Sequence, residues 1–150
     1  MKKNVLQFAC LFFIGCWLSS IPSWAKDWKG VVPGTTKKSE VLEKFGPPTR
    51  ELTRSGEFSK GVLYQGAQHL EGTKQVQFLF DAQEVIQVIY VFPALDLKRD
   101  QIIATYGKGF EEKLNDSFKT YLYFKKDGIV VYFKEGNQVV SSITFQKPLE

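Results

Sequence analysis

Thr36-Lys37-Lys38-Ser39-Glu40-Val41-Leu42-Glu43-Lys44-Phe45-Gly46 and Asp96-Leu97-Lys98-Arg99-Asp100-Gln101-Ile102-Ile103-Ala104-Thr105-Tyr106-Gly107 read as one short helix written twice. In the first copy Val41, Leu42 and Phe45 fall at i, i+1 and i+4, a stripe on one side of a helix; Ile102, Ile103 and Tyr106 take the same places in the second. Thr36 is the expected N-cap of the first, its hydroxyl accepting from an amide two or three residues on, and Asp96 can cap the second. Gly46 and Gly107 suit a C-terminal stop, and Pro47-Pro48 forbids continuation of the first helix.

Strands are expected after each helix. Thr49–Thr53 and Val62–Gln65 are short candidates, and Val76–Phe80 alternates, with Val76, Phe78 and Phe80 on one face and Gln77 and Leu79 on the other. Asp81-Ala82-Gln83-Glu84 turns the chain into Val85–Phe92, which Pro93 stops. In the second half Lys119–Phe124 and Ile129–Phe133 meet at Lys126-Asp127-Gly128, a hairpin signal, and Glu135-Gly136-Asn137 leads into Gln138–Gln146. This order predicts an α+β fold of two fused repeats, 31–93 and 94–148, each a short helix followed by three or four antiparallel strands.

The strand faces are unequal. Val76/Phe78/Phe80 and Ile129/Val131/Phe133 should meet the helices. On the opposite face the last strand of the first half carries Ile86, Val88, Tyr90 and Phe92, where its counterpart carries Val140, Ser142 and Thr144. A strand apolar on both faces needs a second cover. The neighbouring half is the expected cover; an exposed partner surface is the sharper alternative. Leu79, Tyr90 and Tyr132 should project from the face opposite the helices, and they are the candidate partner-binding residues.

The N-terminus reads as an address. Lys2 and Lys3 precede an apolar run from Val5 to Ile14, and Ser23-Trp24-Ala25 offers a small-x-small cleavage site before Lys26. The run is short for a membrane span. Phe13-Ile14-Gly15-Cys16 resembles a bacterial lipobox, so lipidation of Cys16 is the alternative to cleavage after Ala25. Phe replaces the usual Leu there, and apolar residues continue through Trp17, Leu18 and Ile21. A periplasmic or secreted protein is therefore expected, membrane-associated only if Cys16 is lipidated or the leader is retained.

Cleavage would leave 125 of the 150 residues, one domain's worth, and both cysteines, Cys10 and Cys16, would leave with the leader. The remainder carries 18 Lys and Arg against 16 Asp and Glu. That balance argues against nucleic acid as a partner, which requires a concentrated basic face. Lys37-Lys38, Lys98-Arg99 and Lys125-Lys126 are scattered pairs.

Catalytic signatures are sparse. His69 is the one histidine, in a loop of Gly and Gln, with no G-x-S-x-G, HExxH or phosphate-cradling glycine loop in the chain. Glu111-Glu112 and Asp96/Asp100 are acid pairs, but Glu111 and Glu112 point to opposite sides if that segment is a strand. No catalytic residue, metal ligand or cofactor is expected. Trp28, close to the start of the mature chain, reads as a plug on the core.

The run Val32-Pro33-Gly34-Thr35-Thr36-Lys37, with Val41-Leu42 and Phe45-Gly46-Pro47-Pro48-Thr49, resembles the opening of the SmpA/OmlA family of outer-membrane-protein assembly lipoproteins. The doubled motif is similar to the β-lactamase-inhibitor-protein-like group. The resemblance implies an α+β fold, an exported location and binding to another protein of the envelope or the exterior without catalysis. The expected function is a non-catalytic protein-binding module, an envelope assembly or accessory factor. Inhibition or regulation of a hydrolase through a loop, Ser55–Lys60 or Gly66–Gly72, is the alternative, and a small enzyme the third reading.

Overall fold

The computed structural model describes residues 26–56, 58–66, 70–117 and 119–148. The expected leader with Cys10 and Cys16, and His69, lie outside the described residues. In chain order the elements are α1 (Lys38–Phe45), β1 (Arg50–Thr53), β2 (Lys60–Gln65), β3 (Thr73–Phe80), β4 (Ile86–Pro93), α2 (Arg99–Tyr106), β5 (Glu111–Leu114), β6 (Thr120–Phe124), β7 (Ile129–Phe133) and β8 (Val140–Gln146), with a 3-10 turn at Lys125–Asp127.

The eight strands form one antiparallel sheet in the order β1-β2-β3-β4-β8-β7-β6-β5. This overturns the expected α+β pair of fused helix-plus-strand repeats: the fold is largely β, with two eight-residue helices on one undivided sheet. The physical reason is the β4–β8 ladder. Val88, Ile89, Tyr90 and Val91 pair with Gln146, Phe145, Thr144 and Ile143, so hydrogen bonding runs unbroken across the proposed boundary at position 93. The two parts of the chain therefore meet edge to edge, and neither lies over the second face of the other.

One face of the sheet carries the core. Val62, Phe78, Ile89, Phe145, Ile129 and Phe124 are successive partners across six strands, all buried. Val41 of α1 and Ile102 of α2 belong to the same cluster, so both helices cover this face. Burying a side chain such as Phe78 or Ile89 contributes about 1.5–3 kcal/mol. Trp28 is the plug its position suggested, its ring 5.9 Å from Phe78 and 6.1 Å from Phe45. Each helix is also tied to an edge strand by its first residue: Lys38 Nζ lies 2.9 Å from Glu51, and Arg99 Nη2 2.7 Å from Glu112.

The helix starts differ from expectation. Thr36 Oγ1 accepts from the upstream Val32 amide at 2.9 Å, and the cap residue is Lys37, whose amide donates to Glu40 Oε2 at 2.7 Å. In α2 the Lys98 amide donates to Gln101 Oε1 at 2.8 Å, while Asp96 pairs with Lys134. In both cases a residue in the first helical turn reaches back, half of the capping-box arrangement. Gly46 and Gly107 end the helices with φ of 76° and 87° and extended ψ, a conformation open essentially to glycine alone.

A register shift between Leu79 and Phe80 pairs Leu79 with Val88 but Phe80 with Ile86, leaving Gln87 as the extra residue of a bulge. Ile86 consequently turns into the helix-side core instead of lining the opposite face with Val88 and Tyr90. No helix among the described residues is long and apolar enough to cross a membrane.

Candidate functional site on the open sheet face

The face away from the helices is built by the alternate residues of every strand. Glu111, Tyr123, Val130, Thr144, Tyr90, Gln77, Leu63 and Arg50 are successive cross-strand partners, a single row spanning the sheet. To one side runs Leu52, Gly61, Leu79, Val88 and Gln146; to the other, Lys113, Tyr121, Tyr132 and Ser142.

The three residues singled out from sequence share this face but not one environment. Leu79 is 4% exposed. It fits because its partner Gly61 has no side chain: a Cβ there would stand 2.7 Å from Leu79 Cδ2 and 2.6 Å from the Phe78 carbonyl oxygen. Leu79 is thus floor rather than surface. Tyr90 and Tyr132 are half-buried.

Tyr121 joins them, although the sequence reading did not select it. Its ring centroid is 5.3 Å from that of Tyr132, inclined at 38°. Burial pushes the Tyr132 phenol above its ordinary pKa, and the neighbouring Tyr121 and Tyr90 oxygens push it the same way. A phenol so placed is neutral at physiological pH, a donor and acceptor on an apolar body. The signal for Tyr121 was present in Tyr121-Leu122-Tyr123, two tyrosines at a spacing of two and hence on one face.

Two cations frame the rings, both missed from sequence because they sit on the four-residue edge strands or just beyond. Arg54, immediately after β1, donates from Nη2 to Gln77 Oε1, and its guanidinium carbon lies 5.9 Å from the Tyr90 ring centroid. To reach Gln77 it crosses the adjoining row, in which Leu79 and Val88 are buried with no described helix above them. At the far edge Lys113 Nζ is 2.8 Å from Glu111 and 5.2 Å from the Tyr123 centroid. That hydrogen-bonded pair raises the Lys113 pKa and lowers that of Glu111, so both remain charged across the ordinary range. In the same cross-strand row as Tyr90, Tyr123 Oη and Thr144 Oγ1 are buried with no hydrogen-bond partner among the described residues.

Glu51 and Asp81, elsewhere, are committed to local structure. A cleft of about 160 Å³ gathers Lys38, Glu51, Lys60, Asp81 and Glu84. Within it Lys38 pairs with Glu51, and the Asp81 carboxylate accepts from the Gln83 and Val85 amides and from Gln87 Nε2, fixing the β3–β4 turn. Glu111 and Glu112 do face opposite ways, one toward Lys113 and one toward Arg99. Among the described residues no three His, Cys, Asp or Glu side chains are grouped to hold a metal ion.

What the fold and this face define is a largely β, single-sheet protein with two helices on one side and a tyrosine-bearing surface on the other. No protein-family model matches the chain, and no curated protein matches it. Among solved structures it is similar to a DUF4309 family protein (YjgB) from Bacillus subtilis subsp. subtilis str. 168. The TM-score is 0.56 over 79% of this chain and 83% of that one, at 14% identity, a likeness of fold alone.

Proposed function

We propose that this chain is an exported, non-catalytic protein-binding module that recognises its partner through the open sheet face, as an envelope assembly or accessory factor. The observation that carries the reading is the cluster of Tyr90, Tyr121 and Tyr132, half-buried and adjacent on a face that no described helix covers. Amphipathic rings held by a rigid sheet lose little side-chain freedom on binding and supply both area and a hydrogen bond, which is why tyrosine is prominent in binding hot spots. The likeness of residues 32–49 to the SmpA/OmlA opening supports an envelope role, and Lys2, Lys3, Val5–Ile14 and Ser23-Trp24-Ala25 support export.

The test is capture of partners from the native envelope with the wild-type chain, a Tyr90→Ala/Tyr132→Ala variant and a variant lacking Ser55–Lys60. Loss of a specific partner with the double variant, its circular dichroism unchanged, supports recognition by the sheet face. Loss only on removal of the loop would replace this reading with that of a hydrolase regulator acting through Ser55–Lys60.

A further inference from the structure

The charge on the open face is one-sided. Among the described strand residues facing that way, and Arg54 beyond them, the cations are Arg50, Arg54 and Lys113, and the one acid is Glu111. Glu111 is already paired with Lys113 at 2.8 Å. No carboxylate among the described residues pairs with Arg50 or Arg54; the Arg54 guanidinium is held instead by a neutral amide, Gln77, and by the Tyr90 ring.

Building on the sheet-face reading, we propose that Arg54 is a preorganised anchor for an Asp or Glu side chain of the protein partner, with Tyr90 as the platform beneath it. A guanidinium has five N–H donors in a planar fork, and Gln77 engages one of its nitrogens. The remaining donors match a carboxylate, which takes two parallel hydrogen bonds from such a fork. The backbone is fixed as well: the Arg54 amide donates to the Ser59 carbonyl at 2.7 Å across the base of the β1–β2 loop. Side-chain entropy that a free arginine would lose on binding is therefore already lost here. Arg50, on the same row as Gln77 and Tyr90, adds a second positive charge. The partner surface over β1–β4 is accordingly acidic, and that over β6–β7 meets the tyrosine pair.

Two measurements test this. Poly-L-glutamate and poly-L-lysine are titrated into the isotopically labelled protein, with the Arg54 side-chain Nε–H and the Gln77 and Tyr90 amides read by NMR. Poly-L-glutamate shifts these signals, poly-L-lysine does not, and Arg54→Gln removes the response. Shifts confined to Lys125, Lys126 or the helix side, or equal shifts with both polymers, would overturn the proposal. With the captured partner, Arg54→Glu and Arg54→Gln each weaken binding tenfold or more, the reversal by the larger factor, as expected for loss of a charge-assisted contact. If both Arg54 variants bind as the wild type does while Tyr132→Ala does not, the carboxylate anchor is wrong and the sheet-face reading stands. If Tyr132→Ala also binds normally, both are wrong.

Discussion

Tyr121 and Tyr132 are direct cross-strand partners on β6 and β7, their ring centroids 5.3 Å apart on the side of the sheet that no described helix covers. Rings that brace each other in this way present a fixed surface. A double-mutant cycle with Tyr121→Ala and Tyr132→Ala, followed by urea unfolding, should give a coupling of about 0.5–1 kcal/mol. A coupling of zero would mean the rings are independent and the surface is not preorganised.

Gly61 sets the shape of the same face at its other end. Gly61→Ala would push a methyl group against the Phe78 carbonyl and Leu79 Cδ2, at 2.6 and 2.7 Å. Backbone oxygen cannot swing aside, so the variant should lose about 1–3 kcal/mol of stability by overpacking. Gly109→Ala, which meets nothing within 4 Å, is the control and should change the urea midpoint little.

Tyr123 and Thr144 offer the opposite sign. Each buries a hydroxyl oxygen with no partner among the described residues, and an unmade buried hydrogen bond costs about 1–3 kcal/mol. Tyr123→Phe and Thr144→Val should therefore stabilise the protein, visible as higher urea midpoints at unchanged slope. Destabilisation would mean that water or a bound partner normally satisfies these groups.

Alkaline titration reports the buried phenols. Tyr64, Tyr106 and Tyr132 all have pKa values raised by burial, with Asp127 adding to the effect at Tyr106. A tyrosine whose folded pKa exceeds its unfolded one binds more protons folded than unfolded between the two. Its contribution to stability is fully present below the ordinary value near 10 and is lost as pH climbs through the raised one. The tyrosinate absorbance of these three should develop above the ordinary value near 10, and Tyr132→Phe should remove part of that late amplitude.

The sequence carried the strands of this molecule more plainly than their assembly. Alternation in Val76–Phe80 and Ile129–Phe133 placed the core face correctly, because a period of two leaves little ambiguity once one side is apolar. The β4–β8 ladder was invisible: Tyr90 and Thr144 lie 54 positions apart, and nothing local in either strand specifies that they become partners. The echo of the two helices instead suggested separate units, and a single sheet replaced them. Ile86 was misassigned for a related reason, since the bulge at Gln87 breaks the alternation by one residue. Tyr90 and Tyr132 could be put on the open face by counting, but Arg54 could not. Its placement depends on a side chain crossing a full row of the sheet to Gln77, a tertiary fact with no sequence period.

Recognition through the open sheet face makes a direct prediction about which side of the sheet a bound protein touches. A photoreactive benzoylphenylalanine placed at position 132, and separately at the exposed Glu43 on the helix side, would be irradiated in the native envelope. A discrete protein adduct from position 132 and none from position 43 is the predicted result. An adduct from position 43 with none from 132 would contradict it.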